Sequence, residues 1–359
     1  MTTLWEPTTV GRLELRHRFA LAPMTRSRAE ADGTPGALAA EYYAQRASLG
    51  LLISEGVQPS DDGQGYLTTP GIYTDAHVDG WRAVADAVHE RGGALFLQLM
   101  HAGRVAHPDN TPRHRQPVAP SAVEAVIPMF TPTGMQHAPT PRELGTDEVR
   151  ATVRDFRAAA AAAIRAGADG VEIHGANGYL LHQFFSPNSN LRTDTYGGPA
   201  ENRARFAIEV AAAVAEEIGA DRTAMRLSPG LATGGIDEGE STGEFYRYLV
   251  AQLAGLDLAY LHVLHTGDDD LLRDIRSLWP NTLLVLRADR TRETIGADVE
   301  AGLADVVPLG RWALANPDIV ERLRTGAELN EPDRATFFSG GPDGYVDYPT
   351  LASGAPAVP

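Results

Sequence analysis

Eight short apolar runs, each followed by a stretch with helical spacing, divide this chain of 359 residues. The first four are "FALAPM" (19–24), "LLISEGV" (51–57), "ALFLQL" (94–99) and "GVEIHG" (170–175). "TAMRLSP" (223–229), "YLHVLH" (260–265), "TLLVLR" (282–287) and "DVVPLG" (305–310) complete the set. Strands that alternate with helices pair in parallel through right-handed crossovers. Eight such units predict a closed (β/α)8, or TIM, barrel. The competing architecture is an open doubly wound sheet. The barrel is preferred because no glycine-rich dinucleotide fingerprint follows the first strand. At the helix ends, Thr146 is read as a cap, with Asp147 and Glu148 near the positive end of the dipole. Gly167, Gly219 and Gly255 stand where helices should stop.

Two segments depart from this rhythm. Residues 102–145 are Pro-rich and too long for an ordinary loop. They follow the third strand at its C-terminal end, where barrel active sites lie, so they read as a lid or subdomain. The segment 327–359 carries "GYVDYPTL", read as folding back over the barrel mouth, and 352–359 read as a disordered tail. One domain over 1–351, lid included, accounts for the rest.

Charge and cysteine count exclude whole classes of function. The net charge of −16 disfavours nucleic acid and anionic membrane surfaces as partners. No apolar stretch is long enough to span a bilayer, and the start lacks a signal-peptide layout, so the expected location is the cytoplasm. With no cysteine there is no disulfide, thiolate metal site or cysteine nucleophile. The 11 histidines invite a metal reading. However, His262 and His265 lie three apart on a strand, on opposite faces, and no metal is expected. "DDD" (268–270) reads as a solvated loop or a helix start.

The polar residues at the predicted strand ends should converge. They are Thr25, Gly56, Gln98, His174 and Arg226. Alternation puts Glu172 and His174 on one face of the fourth strand. A charge on a core strand needs a partner, so either Glu172 pairs with Arg226 or Arg226 meets a buried cofactor. His174 is followed by Asn177 and Tyr179. Two hydrogen-bond donors aimed at one substrate oxygen stabilise developing negative charge, and a nearby phenol supplies a proton. Such a set suits a reaction that passes through an enolate-like species.

"APMTRSR" (22–28), "EGV" (55–57), "QLMHAGR" (98–104), "VEIHGANGYLLHQFFSPNSNLRTDTYGG" (171–198), "RLSP" (226–229) and "LGRWALANPD" (309–318) resemble the Old Yellow Enzyme family of flavin-dependent ene-reductases. The resemblance implies non-covalent FMN at the barrel mouth, reduced by NADPH or NADH, and hydride transfer to an activated alkene. It implies that His174 and Asn177 bind the activating oxygen and that Tyr179 protonates the α-carbon. Pro23, Met24 and Thr25 would lie by the flavin ring, and Gly56 would give it room. Gln98 and Arg226 would bind the pyrimidine edge, and Gly310 and Arg311 the phosphate. Tyr66, Met100 and Tyr348 would line the substrate pocket, with Met100 where the family often has tryptophan. Nicotinamide and alkene take turns on one flavin face in this family, which accounts for the missing fingerprint.

One departure bears on the cofactor. Ala288 and Asp289 stand where the family carries a glycine turn whose N–H groups cradle the phosphate. An aspartate there repels phosphate unless it is turned away or neutralised by Arg287, Arg290 or Arg311. Two alternatives therefore stay open beside the ene-reductase. One is a barrel with weakened FMN binding that serves as a ligand-binding protein. The other is a cofactor-free lyase or isomerase using the same donors.

Overall fold

The structure, a computed structural model, describes residues 3–267 and 269–353. The eight expected strands are β1 Phe19–Leu21, β2 Leu51–Val57, β3 Ala94–Leu99, β4 Gly170–Gly175, β5 Thr223–Leu227, β6 Tyr260–Leu264, β7 Thr282–Leu286 and β8 Val307–Leu309. They form one parallel sheet in the order β7-β6-β5-β4-β3-β2-β1-β8. A parallel bridge between Leu284 and Val306 joins the two ends, so the sheet closes into a barrel. Every residue of β2, β4 and β5 is buried. Helices cover the outer face of the sheet and side chains fill its interior, which explains why these runs are continuous rather than alternating.

The covering helices are α1 Ala37–Gln45, α2 Asp75–Glu90, α3 Thr146–Arg165, α4 Ala200–Ile218, α5 Thr242–Ala254, α6 Asp269–Leu278, α7 Ala297–Glu300 and α8 Ile319–Thr325. In α3, Val149, Thr152, Phe156, Ala159, Ala160 and Ala163 form the buried stripe, and small alanines let the helix lie close to the barrel. Its N-cap is Gly145, not Thr146. The Glu148 carboxylate accepts from the Gly145 N–H at 2.7 Å, while the Thr146 hydroxyl donates to Asp194. A carboxylate 48 positions away in the chain thus outbids the local cap for the Thr146 hydroxyl. Gly167 and Gly219 do follow α3 and α4 with left-handed φ values of +93° and +99°. Asp269 and Asp270 open α6 as read, and Asp268 lies outside the described residues, as does the tail from 354 onward.

Inside the barrel the chain places an apolar plug at the bottom and polar groups above it. Phe96, Ala224, Tyr260, Leu284 and Val306 form the plug. An N-terminal hairpin, Thr8–Val10 against Leu13–Leu15, seals it from below through Val10 and Leu15. The hairpin is absent from the sequence reading, since two three-residue strands carry too little periodicity. Gly170 starts β4 because a Cβ there would stand 2.4 Å from both the Arg222 carbonyl oxygen and the Phe96 ring.

The 102–145 segment is folded. It holds a hairpin, Pro128–Thr131 against Gly134–His137, and a parallel pair, Val118–Ala119 with Arg142–Glu143. Val105, Ala125, Met129 and Ala138 form its own small core, against which Tyr66 and Tyr179 pack. The tail also returns to the mouth. Arg26 donates to the Phe337 and Gly344 carbonyls, and Arg28 to those of Thr336, Gly341 and Asp343.

Candidate active site at the barrel mouth

The inward positions of adjacent strands carry a buried polar cluster above the plug. Glu172 pairs in register with Gln98 on β3, and His174 with Arg226 on β5, itself paired with His262 on β6. Gln98 Nε2 donates to Glu172 Oε1 at 2.7 Å, and His262 Nδ1 lies 2.9 Å from Glu172 Oε2. Burial pushes the Glu172 carboxyl up, but His262, Arg226 and Gln98 together hold it below its ordinary pKa. Among the described residues no ion pair joins Glu172 to Arg226, so the expected direct pairing gives way to Gln98 and His262. Arg226 is fully buried and its Nε has no hydrogen-bond partner. Of the two expectations for Arg226, direct pairing with Glu172 is not met among the described residues, and its Nε is left without a protein partner. His262 faces Glu172 and His265 lies 3.4 Å from Asp269. No group of three potential metal ligands occurs among the described residues.

The end of β4 and the loop after it carry His174, Asn177 and Tyr179, and bring the His174 and Tyr179 rings together. His174 Nδ1 accepts from the Ala176 N–H at 3.2 Å, so the proton sits on Nε2 and that end donates. Burial, reinforced by the Arg226 charge, lowers the His174 pKa well below its usual range, so the ring is neutral. Its ring meets that of Tyr179 edge-on with centroids 5.0 Å apart. Tyr179 and Tyr66 hydroxyls are 3.0 Å apart. Burial raises the Tyr179 pKa and the Tyr66 hydrogen bond partly counters it, so the phenol keeps its proton at neutral pH. Asn177 takes a left-handed φ of +56°. Its N–H donates to Ser228 Oγ at 2.9 Å, and its Oδ1 is buried without a partner. A second layer holds this loop. Gly178 N–H donates to His182 Nδ1, and His182 Nε2 donates to Glu238 at 2.7 Å. Glu238 also accepts from Gly230 N–H and the Tyr246 hydroxyl. A Cβ on Gly178 would stand 2.3 Å from the Thr233 carbonyl oxygen, so the two loops touch backbone to backbone.

A separate cavity of about 270 Å³ opens where β1, β7 and β8 end. Pro23, Met24, Arg287, Ala288, Gly310 and Arg311 line it, which unites five of the expected cofactor residues. Asp289 is exposed and does not line the cavity, the turned-away alternative of the sequence reading. Arg287 and Arg290 also line the cavity but are paired there: Arg287 bonds Asp298 and Asp269, and Arg290 bonds Asp298 at 2.9 Å, with Asp298 itself part of the lining. Thr25 is held in the loop after β1, whose next two N–H groups, of Arg26 and Ser27, donate to buried Glu55 at 3.0 and 3.1 Å. Glu55, like Glu172, is a carboxylate within an apolar run, a sequence signal of a buried partner that the expected site residues do not include. A Cβ on Gly56 would lie 2.5 Å from Met100 Sδ, so its missing side chain makes room for Met100. Tyr348 stands apart. Its hydroxyl accepts from the Asp333 N–H, and no hydrogen bond or ring contact ties it to the donor cluster.

These residues fit FMN. An unpaired buried guanidinium and an amide face the barrel axis, and the glycine–arginine pair lines a cavity at the neighbouring rim. Comparison with known proteins agrees. Residues 3–330 match the NADH:flavin oxidoreductase / NADH oxidase family. The chain is 40% identical to 12-oxophytodienoate reductase 2 of Arabidopsis thaliana, over 98% of this chain and 96% of that protein. It is 41% identical to a probable flavin mononucleotide-dependent alkene reductase of Leishmania infantum, over 96% and 97%. Among solved structures, morphinone reductase in complex with tetrahydroNAD superposes with a TM-score of 0.94 at 43% identity, covering 98% of each chain. The Old Yellow Enzyme homologue of Zymomonas mobilis gives 0.94 at 38%, covering 98% of this chain and 100% of the other. By motif, fold and sequence alike, the chain belongs to the NADH:flavin oxidoreductase / NADH oxidase family, the Old Yellow Enzyme family of FMN-dependent ene-reductases.

Proposed function

We propose that this enzyme uses NADPH or NADH to reduce the C=C bond of activated alkenes, namely α,β-unsaturated carbonyls, maleimides or nitroalkenes. Bound FMN supplies the hydride for the β-carbon. His174 Nε2–H and the Asn177 amide bind the activating oxygen, and Tyr179 holds at its hydroxyl the proton that goes to the α-carbon. The observation that carries this reading is the fixed tautomer of His174. With Nδ1 occupied by the Ala176 N–H, the free end is a neutral donor. A neutral donor stabilises charge developing on oxygen without surrendering its own proton. Tyr179, protonated and bonded to Tyr66, is then the acid of the cluster. Tyr66 and Met100 would shape the pocket around the alkene. The tetrahydroNAD held by morphinone reductase supports a nicotinamide reductant for this chain as well.

The visible spectrum of the purified protein, taken before and after adding FMN, tests this. Flavin bands that bleach anaerobically with NAD(P)H and return with cyclohexenone are expected. A protein that binds FMN but ignores every activated alkene would remove the substrate assignment. A colourless protein that cannot be reconstituted would favour the ligand-binding or cofactor-free alternatives.

A further inference from the structure

One buried charge takes no part in the chemistry above. Glu172 has no exposed surface. Its two oxygens are taken by Gln98 Nε2 at 2.7 Å and His262 Nδ1 at 2.9 Å. An ionised carboxylate only accepts hydrogen bonds, so it forces the orientation of both partners. Gln98 must turn its NH2 toward Glu172, which leaves its carbonyl as the free end. His262 must carry a proton on Nδ1. Arg226 stands one inward position nearer the mouth on the adjacent strand, in register with His174, with Nε buried and unpaired. A fixed negative and a fixed positive charge therefore sit together in a water-poor interior. Charges there act on a neighbouring group far more strongly than in water. Removing one partner of such a set leaves the other uncompensated.

We propose that Glu172 is a positioning residue for the cofactor: it fixes Gln98 so that an acceptor faces the flavin's pyrimidine edge, and its charge offsets Arg226 and so lowers the reduction potential of bound FMN. The inference rests on FMN binding where Gln98 and Arg226 meet. Reduction adds electron density to the flavin, which an unopposed Arg226 favours and Glu172 opposes. The carboxylate thereby keeps the bound flavin a ready hydride donor.

The holoenzyme midpoint potential, read by equilibration with a reference dye, tests the charge. In Glu172→Gln the ratio of reduced to oxidised flavin at a fixed potential should rise at least tenfold, a shift of about 30 mV for a two-electron couple. Glu172→Asp keeps the charge and should stay near wild type. A Glu172→Gln ratio that changes less than about threefold (roughly 15 mV) overturns the electrostatic role. The amide orientation is tested on the wild-type chain alone, so it survives a variant that does not fold. FMN methylated at the pyrimidine N3 has no N–H for the Gln98 carbonyl and should bind at least tenfold more weakly than FMN. Equal affinity overturns the positioning role. A wild-type chain that binds no FMN overturns the inference together with the cofactor assignment, whereas FMN binding with both expected effects missing overturns the inference alone.

Discussion

His174 ends a strand and Asn177 takes a left-handed turn three residues later, and on the proposed reading their substitution separates binding from redox chemistry. His174→Ala combined with Asn177→Ala should abolish productive alkene turnover while FMN stays bound. Each oxyanion donor is worth roughly 2.7–4 kcal/mol. Steady-state turnover at the wild-type rate in the double variant would remove the oxygen-binding role. Tyr179→Phe should oxidise NAD(P)H normally but reduce alkene about 10²-fold more slowly, the low end for a general acid, since water can stand in for the phenol. Stopped-flow measurement of the two half-reactions distinguishes these steps. An equal slowing of both would mean that the ring packs rather than donates.

The elements around the mouth depend on tethers between loops. Arg104 is buried, and its guanidinium donates to the carbonyls of Gly234 and Gly235 at 3.0 Å each and to that of Val123. It binds the inserted segment to the loop that touches Gly178. Burial lowers its pKa to about 10, still far above neutrality, so the charge persists. Arg104→Met should cost about 2–4 kcal/mol through three orphaned carbonyls, read as a lower denaturant midpoint. An unchanged midpoint would make the tether dispensable. At the rim, Asp289 faces solvent, where water and salt screen its charge. Asp289→Gly should therefore change the FMN dissociation constant less than about threefold, by the small worth of exposed charges. A tenfold tightening by fluorescence titration would restore the repulsion argument.

Across the whole molecule, buried histidines set the acid limit of stability. His17, His77, His174, His262 and His265 all have pKa values lowered chiefly by burial from an ordinary 6.5. The unfolded chain therefore binds protons that the folded chain refuses. Stability is fully present above the unfolded value and is lost as pH falls below 6.5 toward the folded pKa values. Glu55, raised by burial, works in the opposite sense but from a lower ordinary value of 4.5. Thermal melts should show Tm declining between about pH 7 and about pH 6, before most carboxylates titrate. A flat Tm across that interval would mean that the folded histidines protonate freely. No helix among the described residues is long and apolar enough to cross a membrane.

The sequence by itself determined the barrel and the candidates for the proposed donor set. Eight apolar runs joined by helices leave one closed arrangement, and strand alternation places Glu172 and His174 on one face. His174, Asn177 and Tyr179 were legible because they lie within six residues, where local geometry suffices. The partners of buried charges were not legible. Glu172 chose Gln98 and His262 over Arg226, and Arg287 and Arg290 chose Asp298 on the cavity wall rather than Asp289. Such choices turn on register between strands and on which carboxylate is desolvated beside which donor. These are distances across the barrel, and only the folded chain sets them.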